Sequence, residues 1–118
     1  MPRMRYEEVN WDDMEEIPYR ASRLLKTLGN PKAYALVHLL LEDRALTVQE
    51  LADSLQRSQQ DTSIILRSLG ELEVVRYQRK DKCVIYTLKD PDAMRSLLDQ
   101  AEVNVRRASE AAGRARGA

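Results

Sequence analysis

The sequence contains one cysteine, one histidine and no long apolar run, and each scarcity excludes a class of protein. A single cysteine cannot form an intramolecular disulfide and suits a reducing compartment, so we expect a cytoplasmic protein. No apolar run approaches the roughly 20 residues that a membrane span needs. Residues 1–13 lack the apolar core of a secretory signal. The 118 residues predict one domain with a short appended arm.

Residue patterns that would support catalysis are also missing. The sequence has no nucleophile paired with a base, no glycine-rich phosphate loop and no carboxylate pair in a pocket signature. His38 lies in an apolar stretch, so we expect a partly buried structural residue rather than a metal ligand. Aromatic residues make up 5 % of the chain, which is few for a protein that stacks single-stranded bases. We therefore predict no enzyme, no metal site and no cofactor.

Residues 47–69 have the pattern of two short helices joined by a tight turn. Apolar residues recur at helical spacing in each half. Each half also opens with a capping-box pair, Thr47 with Glu50 and Ser58 with Asp61. Such a helix-turn-helix can place its second helix, predicted over 58–72, in a DNA major groove. Any well-capped antiparallel helix pair has a similar pattern, so the neighbouring segments must decide.

The neighbouring segments complete a winged helix-turn-helix. Helices are predicted over 18–28, with Pro18 in the first position and Gly29 as the C-terminal cap, and over 31–41. After the helix-turn-helix the apolar period becomes two over 75–79 and 84–88, which predicts a β-hairpin with a charged tip at 80–82. A last helix with a long apolar stripe follows. We predict a mainly α fold with a small β-hairpin and with dimerising N- and C-terminal helices.

The chain divides into three predicted parts: an acidic N-terminal arm or short helix over 1–17, a winged-helix DNA-binding domain over 18–113, and a frayed tail over 114–118. The arm could pack on its own domain or form a dimer-interface helix. The stripe on the last helix is longer than a monomer needs, which favours a dimer. The predicted dimer contacts are Trp11, Ile17, Met94, Leu97, Leu98, Ala101 and Val105.

Formal net charge is zero, which is unusual for a nucleic-acid-binding protein, but the charges are unevenly distributed. Residues 57–89 hold seven Lys/Arg against four Asp/Glu, whereas residues 1–20 hold three Arg against six acids. The positive surplus therefore coincides with the predicted recognition helix and hairpin.

With its elements in this order, the chain resembles the ArsR-type family of small dimeric winged-helix transcriptional repressors over residues 20–89. Four segments carry the resemblance at the family's spacing. LKTLGNP at 25–31 is similar to the entry to the second helix, and LTVQELA at 46–52 to the first DNA-reading helix. SQQDTSIILRSL at 58–69 is similar to the recognition helix, and VIYTL at 84–88 to the closing wing strand.

The departures from the family pattern concern metal sensing and DNA contact. Members that sense soft metals carry a Cys-containing segment where Thr47 and Gln49 stand here. Members that sense zinc-like metals use Asp and His on the last helix, where residues 91–113 have no histidine. Neither ligand set can be carried over. The family's recognition-helix histidine is Ile65 here, and the glycine that ends that helix is Glu73, so that turn must be made differently.

The predicted DNA contacts lie on the recognition helix and the wing. Glutamines in the first helical turn can pair bidentately with adenine, an arginine can bind phosphate or guanine, and an exposed isoleucine can meet a thymine methyl. Wing cations suit phosphate or minor-groove contact. Tyr77 and Tyr86 are predicted to be packing residues. The predicted contacts are Ser58, Gln59, Gln60, Thr62, Ser63, Ile64, Arg67, Arg79, Lys80 and Lys82.

We therefore predict a homodimeric, sequence-specific regulator of transcription, a repressor without the family's usual metal sites. Its partners would be a double-stranded DNA operator and a second copy of the chain, with no membrane and an inducer that the sequence does not identify. Two alternatives stay open. A winged helix used as a protein-interaction module is favoured by the zero net charge and by Ala33, Ala35 and Ile64, which replace arginines common in the family. In the other, Cys83 is a redox switch on a DNA-binding protein.

Overall fold

The computed structural model describes residues 15–117, which form five helices and a three-stranded antiparallel sheet. The elements in chain order are α1 (Glu16–Leu28), α2 (Pro31–Asp43), β1 (Leu46–Thr47), α3 (Val48–Leu55), α4 (Gln59–Glu71), β2 (Val75–Lys80), β3 (Cys83–Leu88) and α5 (Pro91–Gly117). This order confirms the predicted winged helix-turn-helix. Among these elements, no helix combines the length and apolarity needed to cross a membrane.

The junction between α1 and α2 is made by local side-chain and backbone chemistry. Helix α1 begins at Glu16, so Pro18 occupies its third position. The prediction that Pro18 is the first residue of the helix is wrong. That position still tolerates proline, because the first-turn N–H groups have no acceptor within the helix. Gly29 ends α1 with a φ of −69°, so no left-handed conformation requires it. A Cβ there would lie 3.2 Å from the Lys26 carbonyl oxygen, so close backbone approach favours glycine. The Asn30 side chain then caps α2.

Two helices extend further at their C-terminal ends than their sequence patterns predicted. Helix α2 continues to Asp43, beyond position 41, and Arg44 ends it with a φ of 59° and an N–H bond to the Leu40 carbonyl. Helix α5 continues to Gly117, beyond position 113, so the predicted tail over 114–118 is helical in its described part. Apolar periodicity marks only the part of a helix that is buried, and it therefore underestimates helices whose ends project into solvent.

The third strand, β1, was not predicted from the sequence. It pairs antiparallel with β3, Leu46 opposite Tyr86 and Thr47 opposite Ile85, which gives the sheet order β1-β3-β2. A two-residue strand is too short to display alternation. Because β1 runs directly into α3, the strand joins the wing to the helix-turn-helix.

The hairpin of β2 and β3 has a tighter turn than predicted. Pairing runs from Val75 opposite Leu88 to Lys80 opposite Cys83, so Lys80 belongs to a strand and the tip is 81–82. Asp81 takes a φ of 58°, a left-handed conformation that aspartate adopts more readily than most residues. The paired strands therefore extend almost to the end of the wing.

The core is assembled from the end of α1, from α2, α3 and α4, from the sheet and from the first part of α5. Helix α4 contributes Ile65, Leu66 and Leu69 from one stripe, with the buried Thr62 donating its hydroxyl to the Ser58 carbonyl oxygen at 2.9 Å. The buried core cluster consists of Leu28, Ala33, Leu36, Val37, Leu40, Leu41, Leu46, Leu51, Ile65, Leu66, Leu69, Val74, Val75, Leu88 and Leu98. The buried stripe thereby sets which face of α4 is exposed.

Truncating one apolar residue on each face of α4 should show which face packs in the core. We expect Leu69→Ala, at a position with 0 % exposure, to lower the free energy of unfolding by roughly 2–5 kcal/mol. Ile64→Ala, at 55 % exposure on the same helix, should change it by less than about 0.5 kcal/mol. Urea unfolding followed by far-UV circular dichroism, at one protein concentration, measures both. Equal losses would contradict the orientation of α4.

Candidate nucleic-acid interface

Helix α3, the first helix of the helix-turn-helix, has the complete capping box that the sequence predicted. Thr47 Oγ1 accepts from the Glu50 N–H at 3.1 Å, and Glu50 Oε1 accepts from the Thr47 N–H at 2.9 Å. At the other end Gln56 takes a left-handed φ of 55°, and the Arg57 N–H donates to the Ala52 carbonyl at 3.0 Å. The chain therefore reverses within residues 56–58, and α4 starts at once.

The start of α4 differs from the prediction in one half of its capping box. Ser58 Oγ accepts from the Asp61 N–H at 3.0 Å, as expected. The Asp61 carboxylate does not return to Ser58 but lies 3.4 Å from Lys32 Nζ on α2. Aspartate is one methylene shorter than the glutamate of a full box. The expected capping role of Asp61 is therefore wrong, and its side chain instead connects the first turn of α4 to α2.

The end of α4 is closed by a Schellman motif in which glutamate takes the place usually held by glycine. Glu73 has a φ of 65°, its N–H donates to the Gly70 carbonyl at 3.0 Å, and the Val74 N–H donates to the Leu69 carbonyl at 2.9 Å. The Glu73 carboxylate pairs with Lys89, whose hydrogen bond and charge lower the pKa of Glu73. The turn that the family makes with glycine is thus made here by a paired glutamate.

The exposed face of α4 carries most of the predicted DNA contacts. Ser58, Gln59, Gln60, Ser63, Ile64 and Arg67 are all exposed. Thr62 is fully buried, so its predicted contact with DNA is wrong. Ser63 and Arg67 lie towards the wing. Ile64 lies on the other side of the face, in a cleft that also contains Arg23 and Lys26 of α1. The outer face of α4 therefore has two flanks of different chemistry.

The three predicted wing cations are exposed but do not point the same way. Arg79 lies on the same face of β2 as Val75 and Tyr77. Lys80 lies on the opposite face, because side chains alternate along a strand. Lys82 is in the turn itself. Cys83, the possible redox residue, is exposed and free, and stands opposite Lys80 in the ladder. The DNA and redox roles of these residues remain predictions.

Tyr77, predicted to be a packing residue, lies on the surface instead. It is 65 % exposed, whereas its cross-strand partner Tyr86 is partly buried against the core. The two ring centroids are 5.9 Å apart with a tilt of 48°. Alternation correctly puts Tyr77 on the same face of β2 as Val75. Only the structure shows that Val75 is buried in the core while Tyr77 lies beyond its edge.

The predicted dimer contacts separate into buried and exposed sets. Leu98 is 2 % exposed and belongs to the core of the single chain, so we remove it from the predicted interface. Met94 and Leu97 are half-buried against the same core. Ala101 is exposed, and Val105 and Ile17 are 63 % and 72 % exposed. Trp11 lies outside the described residues.

A polar cluster joins α2 to α5 beside the exposed Val105. The Tyr34 hydroxyl donates to Glu102 Oε2 at 2.6 Å. Partial burial, that hydrogen bond and the negative charge of Glu102 raise the pKa of Tyr34 to about 12. His38, expected to be partly buried, is exposed, with its ring nitrogens 3.6 Å from Glu42 and 3.7 Å from Glu102. Within residues 15–117, no group of three or more His, Cys, Asp or Glu side chains is arranged to hold a metal ion.

The arrangement of a capped helix-turn-helix and a hairpin wing defines a winged-helix protein, and solved structures agree. The transcriptional regulator HlyU from Vibrio vulnificus is 33 % identical, with a TM-score of 0.61, over 79 % of this chain and 98 % of that one. Rv0081 from M. tuberculosis is 26 % identical, with a TM-score of 0.73, over 82 % and 96 %.

A more distant structure shares the fold. It is the homodimeric winged helix-turn-helix DNA-binding domain of Mb0332 from Mycobacterium bovis, a possible ArsR-family transcriptional regulator. It is 19 % identical, with a TM-score of 0.71, over 83 % of this chain and 93 % of that one. No protein-family model and no curated protein sequence matches this chain.

The chain belongs to the ArsR-type family of winged-helix transcriptional regulators. The resemblance found in its four sequence motifs is thereby confirmed. Proteins of this family are regulators and not enzymes, which also confirms the expectation drawn from the missing catalytic patterns.

The Tyr34–Glu102 contact should stabilise the protein in a pH-dependent way. We expect Tyr34→Phe to lower the free energy of unfolding by about 1 kcal/mol at neutral pH. Because folding raises this pKa, the contribution is fully present below the unfolded value of about 10 and is lost as the pH rises towards about 12. Urea unfolding of wild type and variant across that range measures the difference. Tyr19→Phe, on the exposed α1 surface, is the control, and a difference that persisted at high pH would contradict the assignment.

Proposed function

We propose that this protein is a homodimeric, sequence-specific DNA-binding transcriptional regulator that acts as a repressor. The exposed face of α4 carries the proposal, since Gln59, Gln60, Ser63 and Arg67 present donors and acceptors to solvent while the opposite stripe is buried. In a winged helix this face enters the major groove. Membership of a family of transcriptional regulators supports the same conclusion.

Sequence discrimination would come from the first turn of α4. Glutamine pairs bidentately with adenine through N6 and N7, and the exposed Gln59 and Gln60 are where side chains of a recognition helix reach base edges. Affinity would come mainly from phosphate contacts by Arg67 and the wing cations, so binding should weaken steeply with salt. A symmetric dimer would read two half-sites about one helical turn apart.

The dimer is proposed from the second half of α5. Every residue from 104 to 114 is exposed in the single chain, although all belong to one continuous helix. A helix projecting in this way gains no stability from tertiary packing, and short isolated helices are marginal in water. Val105 and Ala101 line an apolar surface beside Tyr34, which a second copy would cover. The related Mb0332 domain is homodimeric.

The repressor mode follows the family resemblance, and the proposed regulator works without the family's known metal sites. Thr47 and Gln49 replace the soft-metal ligand segment, and Thr47 is already used to cap α3. Residues 91–113 offer no histidine. Its signal is therefore expected to be something other than a metal held at either of those positions.

Replacement of one glutamine should weaken discrimination on DNA. Fluorescence anisotropy on the duplex from upstream of the protein's own gene, against a scrambled duplex at low and near-physiological salt, measures affinity and preference. We expect Gln60→Ala to lose about tenfold on the native duplex and much less on the scrambled one, since a bidentate base contact is worth roughly 1–3 kcal/mol. Gln100→Ala, exposed on α5, should leave both affinities unchanged. Equally weak wild-type binding to both duplexes would contradict operator recognition there and favour a protein-interaction module.

A charge placed on the exposed stripe of α5 should dissociate the dimer. Sedimentation of the wild-type chain should give a dimer, and Val105→Glu should shift the population to monomers because an unpaired carboxylate would be desolvated at the interface. Ser96→Glu places the same carboxylate on the opposite side of α5 and should remain dimeric. A dimeric Val105→Glu protein would exclude this stripe from the interface.

A further inference from the structure

A groove lies between the recognition helix α4 and the wing. Ser63 and Arg67 line it from α4, and Tyr77 and Tyr86 line it from the hairpin. Lys89 and Glu73 also line it and neutralise each other through their ion pair. The groove therefore presents hydroxyl and guanidinium donors, and its one carboxylate already has a partner.

The position of Tyr77 in this groove is held by its neighbours. Its backbone is paired directly opposite Tyr86, and the Tyr86 ring packs on it at a centroid distance of 5.9 Å. Tyr86 is itself partly buried against the core. Tyr77 thus keeps 65 % of its surface exposed while its ring packs on Tyr86. Within the described residues its hydroxyl has no hydrogen-bond partner, so it can contact a ligand.

Arg67 provides the positive charge on the other wall. Within the described part of the chain, no carboxylate lies within ion-pair distance of its guanidinium. It is one turn beyond Ser63 on the same flank of α4, and both are exposed. The Arg67 guanidinium and the hydroxyls of Ser63, Tyr77 and Tyr86 match an acceptor-rich anion better than a base edge, which presents donors as well.

The geometry of a winged helix on DNA identifies that anion. When α4 lies in a major groove and the wing reaches towards the adjacent minor groove, the sugar–phosphate strand that separates the two grooves must pass between them. We propose that the groove between α4 and the wing binds one phosphate of this strand, with the Tyr77 hydroxyl and the Arg67 guanidinium as its donors. This inference rests on the proposed DNA-binding function and adds Tyr77 as a positioning contact that fixes the wing relative to the recognition helix.

The test removes only the hydroxyl. Tyr77→Phe keeps the ring on Tyr86, and the full-length variant is compared with wild type by anisotropy on the native and scrambled duplexes. We expect about tenfold weaker binding to both duplexes alike, because a hydrogen bond to a charged phosphate is lost without loss of base readout. Thr87→Val removes a hydroxyl from the opposite face of the same hairpin and should bind as wild type does.

A second arm locates the phosphate. Single uncharged methylphosphonates are placed in turn along the native duplex. Wild type should lose affinity at one position in each half-site. Tyr77→Phe should lose less there, because only its Arg67 contact with that phosphate remains to be weakened.

The outcomes distinguish this inference from the function on which it rests. If Tyr77→Phe binds both duplexes as tightly as wild type does, or loses affinity only for the native duplex, the phosphate contact is overturned. The proposed DNA-binding function would then still stand. Wild type that binds no duplex would overturn both. Equal sensitivity of the two proteins at every methylphosphonate position would also exclude Tyr77 as a phosphate donor.

Discussion

The burial of one stripe of α4 is the constraint on which the rest of the structure depends. Leu66 and Leu69 are inserted into the core. Thr62 can be buried beside them because its hydroxyl donates a hydrogen bond to the Ser58 carbonyl oxygen. Rotating α4 would expose these residues at a cost of several kcal/mol, since each buried leucine contributes about 1.5–3 kcal/mol. The opposite face, with its glutamines and Arg67, is therefore presented to solvent in one fixed orientation, as a base-reading helix requires.

The two-residue strand β1 connects the wing to the helix-turn-helix. Thr47 pairs with β3 through its backbone and caps α3 through its side chain, so one residue connects the wing to the helix-turn-helix. Glu73 makes a comparable connection at the other end of α4, where it forms the turn into β2 and pairs with Lys89 after β3. The wing is thus joined to α3 through Thr47 and to the end of α4 through Glu73, and Glu73 also lines the groove where the proposed phosphate would lie.

The second half of α5 differs from this packed centre of the domain. Up to Leu98 the helix packs on the core, and the Tyr34–Glu102 hydrogen bond extends the contact by one turn. Beyond that turn, every residue from 104 to 114 is exposed. DNA reading and self-association would therefore use separate surfaces of a small domain, with α2 as the element that packs against both α4 and α5.

The elements and their order were predictable from the sequence because their signals are local. Helix caps such as Thr47 and Asn30, the change of apolar period after α4 and the four family motifs all depend on residues close together in the chain. They establish a winged helix and its family, and they place the glutamines of α4 in its first turn.

What the sequence could not determine depends on residues that are distant in the chain. The pairing of β1 with β3, the ion pair that takes Asp61 away from its cap, and the burial of Leu98 require elements up to dozens of residues apart to be brought together. Apolar and β-branched residues look alike in a sequence whether they face the core or project beyond it. Only the tertiary structure decides that Thr62 is inside and that Tyr77 is outside, because the edge of the core is set by what packs there.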